Sequence, residues 1–221
     1  MPNGMGAEEL SFRKYMPSDL GRCAELAHQA WPMRGNPNPE PGERSMFEPW
    51  VESSSMSATW TEVAIISGEV VGFLFGSVDN MKKKSGALED LGNMLWMFRR
   101  VLSGDIHRWM IRIRSALGFF FTQFRLEVNK PEADADISLL IVDSRFRGKG
   151  IGRTLVDRFV KVARDAGAHT IMLFTDDKIS NWKFYEIYGF RKVNSFPDSI
   201  STYFAGERAN AMYYVLDLKD T

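Results

Sequence analysis

The stretch LLIVDSRFRGKGIG, residues 139–152, joins a continuous apolar run to three glycines at alternate positions. The apolar run begins earlier, in ADISLLIVD at 135–143, and such a run is typical of a strand in the middle of a sheet. Residues 151–166 carry apolar side chains at every third or fourth position, which predicts an amphipathic helix ending at Gly167. We therefore expect a strand, a glycine-rich connection and a helix.

The glycine-rich connection has the features of an anion site. Gly148, Gly150 and Gly152 allow the backbone to approach a ligand closely, because they carry no side chain. Consecutive N–H groups at the start of a helix form a positive nest, which the helix dipole strengthens. Arg147 and Lys149 add two positive charges. These features predict a ligand that carries phosphate.

Two other phosphate-binding motifs fit less well. A P-loop, GxxxxGK[ST], aligned on the GK pair at 148–149 would need glycine at Asp143 and Ser or Thr at Gly150. A dinucleotide fingerprint, GxGxxG, would need glycine at Arg153 and a turn directly after the strand. Asp176 could still act as the ribose-binding acid of such a site, so a nicotinamide-dependent oxidoreductase stays an alternative. A glycine-rich turn without any ligand stays another.

A second motif follows one strand later. The segment NWKFYEIYGF, residues 181–190, predicts a short helix ended by glycine. The pattern RxxGxG at 147–152 and the pattern N…FYE..GF at 181–190 resemble the coenzyme A-binding signatures of the GNAT superfamily of N-acetyltransferases. The resemblance covers 130–192 by motif and 10–78 by the order of elements. Ser144 stands where many members carry proline.

The resemblance implies an α/β fold, with a GNAT-like mixed central sheet flanked by helices. We expect a single domain over 1–221, in which 80–127 is a helical insertion between the third and fourth strands. Apolar, β-prone runs predict strands at 10–15, 61–66, 70–77, 135–143, 169–174, 190–193 and 212–218. Helical spacing predicts helices at 20–31, 46–57, 151–166 and 180–188, the first of them capped by Ser18 or Asp19.

By the same resemblance, the chain is an acetyl-CoA-dependent N-acetyltransferase that acts on a primary amine of a small molecule or peptide. Tyr185 would be the general acid, since a phenol with a pKa of about 10 is protonated at neutral pH and can protonate the departing thiolate. Backbone groups of the central strand would hold the pantetheine arm, which requires the sheet to splay there. The coenzyme A-binding residues that the resemblance implies are Leu140, Ile141, Val142, Arg147, Gly148, Lys149, Gly150, Ile151, Gly152, Arg153 and Asn181. A CoA-binding sensor or structural module without turnover would carry the same motifs and stays an alternative.

The amine must also lose a proton, because an alkylamine with a pKa of about 10.4 is neutral in only about one molecule in 2,500 at pH 7. Four carboxylates are candidate bases, and the sequence does not choose among them: Glu62, Glu127, Asp134 and Asp136. The histidines and the one cysteine do not have the spacing of a metal site, so no metal is expected. Cys23 stands among apolar residues, where we expect a small buried filler.

The overall composition is that of a globular protein. Lys plus Arg and Asp plus Glu number 28 each, so net charge gives no indication of a nucleic-acid partner. No uncharged run reaches the roughly 18 residues that a membrane span needs, and the N-terminus lacks a signal-peptide pattern. We therefore expect a cytoplasmic protein.

The insertion differs from the rest of the chain in charge. Residues 81–130 contain ten Lys and Arg against four Asp and Glu, and their apolar residues predict two amphipathic helices. Three interpretations stay open. The helices could form a hairpin packed on the domain or on a homodimer mate, a lid over the acceptor site, or a basic element at a membrane surface.

Overall fold

The computed structural model describes residues 10–31, 47–81, 125–126 and 128–218. In chain order, its main elements are β1 (Ser11–Lys14), α1 (Leu20–Ala30), α2 (Phe47–Ser57), β2 (Trp60–Ile66), β3 (Glu69–Val78), β4 (Ala135–Val142), α3 (Ile151–Asp165), β5 (Thr170–Asp176), α4 (Trp182–Tyr188), β6 (Arg191–Pro197), α5 (Ser199–Ala205) and β7 (Asn210–Asp217). The strands form one seven-stranded sheet in the order β1-β2-β3-β4-β5-β7-β6. Neighbouring strands are antiparallel except β4 and β5, which are parallel. The predicted mixed sheet is confirmed.

The predicted strands and helices are present, with ends that differ by a few residues. The β2–β3 hairpin turns at Ser67 and Gly68, whose φ values of 51° and 80° are those of a tight primed turn. The predicted side-chain cap of α1 is wrong. The carboxylate of Asp19 instead accepts hydrogen bonds from the guanidinium of Arg13 and the N–H of Met16.

Helix α5 was not predicted. It is short, but it has both end signals, because the side chain of Asp198 accepts a hydrogen bond from the N–H of Ser201 at 2.6 Å and Gly206 follows it at a φ of 72°. A search for caps rather than for apolar periodicity would have found it.

Helices cover both faces of the sheet. On one face α3 buries its apolar stripe, and α4 packs beside it. On the other face α1 and α2 cover a second cluster, in which the side chain of Cys23 is fully buried, as predicted. Burial raises the pKa of the Cys23 thiol to about 12, which keeps it protonated at neutral pH.

The proposed insertion lies between β3 and β4. Most of it, 82–124 together with Glu127, falls outside the described residues, and so do the three interpretations of its role. Its C-terminal end lies against β7, where Tyr213 donates a hydrogen bond to the carbonyl of Leu126 at 3.0 Å. Just after it, the carbonyl of Asn129 accepts a hydrogen bond from Asn194 on β6 at 3.3 Å. Among the described residues, no helix has the length and apolar character to cross a membrane.

Candidate functional site

The central strands β4 and β5 pair only at their beginnings. Residues 135–137 pair with 171–173, although β4 continues to Val142 and β5 to Asp176. The pairing of β4 with β3 skips Ser138, which is therefore the extra residue of a β-bulge, and its hydroxyl donates to the carbonyl of Phe75 at 3.0 Å. Beyond the bulge β4 stays with β3 and leaves β5. The splay that the sequence predicted is present.

Backbone groups of β4 face this opening. The N–H of Asp143 donates to the carbonyl of Val71 on β3 at 2.8 Å. Backbone groups alternate along a strand, so Ile141 also turns its N–H and C=O toward β3, whereas Leu140 and Val142 turn theirs toward the opening. The predicted role needs backbone groups that face the opening, as those of Leu140 and Val142 do, whereas Ile141 bonds toward β3; the role itself stays a prediction.

The connection from β4 to α3 presents free N–H groups. Gly148 and Gly150 have φ values of 77° and 82°, a conformation that glycine adopts without strain. Across the described part of the chain, no oxygen accepts a hydrogen bond from the N–H groups of 148–153. A Cβ added at Gly148 or Gly150 would meet nothing within 4 Å. The loop is thus an open nest of donors at a helix N-terminus, which fits a pyrophosphate.

The other predicted residues of this loop surround the nest. Arg147 donates from Nε to the carbonyl at the end of β4, 3.1 Å away, and its side chain is exposed. Lys149 and Arg153 lie over aromatic rings, at 4.9 and 5.4 Å from the ring centres. The side chain of Ile151 is buried in the core, so only its backbone can contact a ligand.

Gly152 brings three elements together. A Cβ added there would lie 3.6 Å from the ring of Phe184 on α4 and 3.6 Å from the side chain of Val142 on β4. The start of α3, the end of β4 and the helix that carries Tyr185 therefore meet at one place. The two motifs that the sequence separates by a strand are neighbours in the fold.

A buried acid anchors the loop, and the sequence analysis missed it. Asp143, which is 2% exposed, accepts hydrogen bonds from the N–H and the guanidinium of Arg145 and from the guanidinium of Arg22 on α1. Arg145 is the main reason that the pKa of the Asp143 carboxyl is lowered. Beside this anchor a cleft of about 240 Å³ separates α1 from the loop, with Gln29 and Ile179 on its walls.

In the loop from β5 to α4, an acidic side chain of the protein accepts the hydrogen bonds of the backbone N–H groups. The buried carboxylate of Asp176 accepts hydrogen bonds from the N–H groups of Lys178, Ile179 and Ser180, at 2.9, 2.5 and 3.2 Å, and from the Ser180 hydroxyl. These bonds fix the entry to α4. They also engage the acid that the nicotinamide alternative needed for a ribose, so that alternative loses its support.

Tyr185 presents its hydroxyl without a hydrogen-bond partner among the residues that the structure describes. Its ring packs against Phe184, Phe190 and Tyr214 at 5.3, 5.9 and 6.4 Å between ring centres. Desolvation raises the pKa of this phenol well above its usual value, and the negative charge of Asp176 raises it further. The group is therefore held in its protonated form.

The remaining predicted residues are Asn181, proposed to bind coenzyme A, and the candidate bases. The exposed side chain of Asn181 makes no hydrogen bond to the described residues, and its carbonyl accepts from the N–H of Phe184 at 3.0 Å. Two candidate bases are engaged in structure: Glu62 forms a two-pronged ion pair with Arg158, and Asp134 accepts from the N–H groups at 169 and 170. Asp136 lies in the paired part of β4.

The sequence pattern of the Acetyltransferase (GNAT) family matches residues 112–190, about a third of the chain. This match includes both motifs and begins inside the stretch 80–127 that the sequence analysis treated as an insertion.

Solved structures of the same fold cover almost the whole chain. A protein of Desulfovibrio desulfuricans assigned to the GNAT acetyltransferases is 13% identical, with 95% of this chain and 99% of that chain covered and a TM-score of 0.56. An N-acetyltransferase of Staphylococcus aureus is 17% identical, with coverage of 96% and 99% and a TM-score of 0.52. An aminoglycoside 6′-N-acetyltransferase complexed with coenzyme A is 14% identical, with coverage of 96% and 98% and a TM-score of 0.53. At these identities the likeness shows that the chain has the fold of these acetyltransferases, and the family pattern adds that residues 112–190 resemble the Acetyltransferase (GNAT) family.

Proposed function

We propose that this protein transfers an acetyl group from acetyl-CoA to a primary amine. The observation that carries the proposal is one grouping at the β4–β5 opening. The N–H groups of 148–153, which have no acceptor among the described residues, lie beside the outward backbone of Leu140 and Val142. Gly152 brings both next to α4, the helix that carries Tyr185. The aminoglycoside enzyme of this fold that was solved with coenzyme A supports the choice of ligand.

Each part of the grouping has a task in this reaction. The N–H nest at 148–153, with Arg147 and Lys149, would hold the pyrophosphate of coenzyme A. The backbone of Leu140 and the N–H of Val142 would pair with the amide-bearing pantetheine arm as a neighbouring strand does, while the carbonyl of Val142 accepts from Arg147. Asn181 lies at the start of α4, and its side-chain amide, which makes no hydrogen bond to the described residues, would bind the same arm. When bound, acetyl-CoA supplies the thioester that the amine attacks as the CoA thiolate leaves.

Tyr185 is the proton donor of the proposed reaction. Its raised pKa keeps the phenol protonated at neutral pH. A protonated hydroxyl that has no hydrogen-bond partner in the described part of the chain can give its proton to a thiolate within hydrogen-bond reach. Activity should therefore not be lost through ionisation of Tyr185 as the pH rises from 7 to 9.

A matched pair of tyrosines on α4 tests the proposal. We expect Tyr185→Phe to lower kcat for thiol release from acetyl-CoA by roughly 10²–10⁴-fold, with KM for acetyl-CoA within about twofold of wild type. Tyr188 is the control, because its hydroxyl donates to Asp157 at 2.6 Å, whereas the hydroxyl of Tyr185 has no hydrogen-bond partner among the described residues. Tyr188→Phe should leave kcat nearly unchanged.

Different failures of this experiment have different meanings. The acceptor set should include polyamines, amino acids, aminoglycosides and peptides with free N-termini. Wild-type protein that is stabilised by CoA against heat but releases no thiol with any of these amines would favour a CoA-binding sensor. Equal activity of wild type and Tyr185→Phe would remove Tyr185 from the mechanism.

A further inference from the structure

An exposed phenylalanine stands where β4 and β5 separate. The last pair between these strands joins Ile137 to Leu173, and Phe174 is the next residue of β5. It is 42% exposed, although β5 lies inside the sheet with β7 on its other side. Large apolar side chains on inner strands are normally covered by packing. The ring of Phe174 therefore forms an apolar wall of the opening that faces solvent.

Phe174 and Tyr185 approach this opening from opposite faces of the sheet. Tyr185 packs against the core beneath α3 and α4, and Leu173 belongs to the same core. Side chains alternate along a strand, so Phe174 points to the other face, which α1 and α2 cover. The acid for the leaving thiolate thus comes from the α4 face, and the face of Phe174 is left for the incoming amine.

The surroundings of Phe174 on β5 and β7 are apolar. Its ring contacts Tyr213 on β7, with 5.6 Å between ring centres. The nearest charge on the same face of β5 is Asp176, whose carboxylate is engaged by hydrogen bonds from its own loop. On the neighbouring strand β4, Asp136 pairs with Met172 and therefore lies on the same face of the sheet as Phe174. The wall itself is aromatic.

We infer that the acceptor carries an aromatic or branched apolar group close to its primary amine, and that Phe174 selects for this group by packing against it. The inference rests on the proposed acetyl transfer and names the class of amine that it uses. A methylene more or less in an apolar pocket changes kcat/KM by roughly 10–200-fold, so loss of a phenyl wall is measurable.

The test compares two amines of different polarity, 2-phenylethylamine and ethanolamine. We expect wild type to show a kcat/KM at least about tenfold higher for 2-phenylethylamine, and Phe174→Ala to reduce this preference about tenfold. KM for acetyl-CoA should stay within about twofold, because the wall faces away from α4. Phe174→Leu keeps an apolar side chain and should retain most of the preference.

Phe196 provides the matched control. It also packs on Tyr213, at 6.2 Å between ring centres, but it lies on β6 at the edge of the sheet. Phe196→Ala should keep the amine preference. A preference lost equally in Phe174→Ala and Phe196→Ala would assign the effect to general loosening of the sheet and would overturn the inference, as would a wild type that prefers ethanolamine.

If neither amine is acetylated, binding of 2-phenylethylamine tests the role of Phe174. Calorimetric titration of 2-phenylethylamine into protein saturated with CoA should then show binding that Phe174→Ala weakens and Phe196→Ala does not. Protein that binds CoA but not 2-phenylethylamine overturns the inference alone. Protein that binds neither CoA nor acetyl-CoA overturns the proposed function, and the inference with it.

Discussion

Two loops follow the two parallel strands of the sheet, and they differ in whether their backbone N–H groups have acceptors. The loop after β4 leaves the N–H groups of 148–153 without an acceptor in the described structure. In the loop after β5, the N–H groups of 178–180 donate hydrogen bonds to the carboxylate of Asp176. Both loops end at the start of a helix, where unsatisfied N–H groups are expected.

The difference separates the proposed ligand site from the loop that supports it. An acidic side chain in the first loop would fill the nest and exclude an external phosphate, whereas glycines keep it open. In the second loop an internal anion fixes the path of the chain, because buried N–H groups without acceptors would cost free energy. The fixed loop then holds Asn181 and Tyr185 beside the open one.

The largest expected effect comes from filling the nest of N–H groups in the loop after β4 with a side chain. Gly150→Val would force a branched side chain into left-handed geometry and place it among the free N–H groups. We expect CoA affinity to fall at least about 100-fold, which matches the loss of two charge-assisted hydrogen bonds at about 1.5 kcal/mol each. Isothermal titration with CoA measures it.

Gly68 is the control for backbone strain. It has a φ of 80°, close to the 82° of Gly150, and a Cβ there would also meet nothing within 4 Å. Gly68→Val should lower the free energy of unfolding by about 1–2 kcal/mol, the same strain that Gly150→Val introduces, while CoA affinity stays unchanged. Equal loss of CoA affinity in both variants would contradict a ligand role for the glycine loop.

The second change removes the internal anion. Asp176→Ala leaves three N–H groups without their acceptor, and we expect the free energy of unfolding in urea to fall by about 2 kcal/mol. Asp176→Asn keeps one oxygen and should lose about half as much. The control is Asp165→Asn, which removes only an exposed pair with Lys161 and should change stability by at most about 0.5 kcal/mol. If the alanine and control variants were equally stable, Asp176 would not organise this loop.

The same contrast explains what could be predicted from sequence. The glycine loop has a short local pattern, and so do the strands and long helices, whose apolar periods are visible in the chain. Burial also follows from pattern, as at Cys23. These features depend on neighbours in sequence.

The features that sequence reasoning missed depend on contacts between distant residues. Asp143 looked like one more acid after a strand, but its partner Arg22 lies 121 positions away. The direction of the Ile141 backbone is set by pairing with β3, and the bulge at Ser138 shows no distinctive local composition. Glu62 was a candidate base until the fold placed Arg158 against it. Such pairings are decided by the sheet register and by helix packing, which no local window contains.

The third change tests the anchor of the open loop through pH. Arg145 and Arg22 lower the pKa of Asp143 in the folded state, while its unfolded value is about 3.9. A lowered pKa means that the stabilisation is present above the unfolded pKa and is lost as the pH falls through the folded one. We expect Asp143→Asn to cost about 1.5 kcal/mol at pH 7 in urea unfolding, and the gap between it and wild type to shrink below about pH 4. A gap that is constant from pH 7 to pH 3 would mean that the carboxylate charge is not what anchors the loop.

The smallest effect concerns the exposed charge beside the nest. Arg147→Gln keeps the glycines and N–H groups but removes one positive charge, so CoA affinity should fall only about fivefold at low salt, or about 1 kcal/mol. Salt screens exposed charges over about 10 Å at 0.1 M and about 3 Å at 1 M. The difference between Arg147→Gln and wild type should therefore nearly vanish at high salt, whereas the defect of Gly150→Val should not, because it is steric. Arg191→Gln, at an exposed arginine on the edge strand β6, should not change CoA affinity at either salt concentration. A salt-independent loss in Arg147→Gln would show that this arginine acts through its hydrogen bond to the end of β4, as part of the loop's structure, and not through its charge.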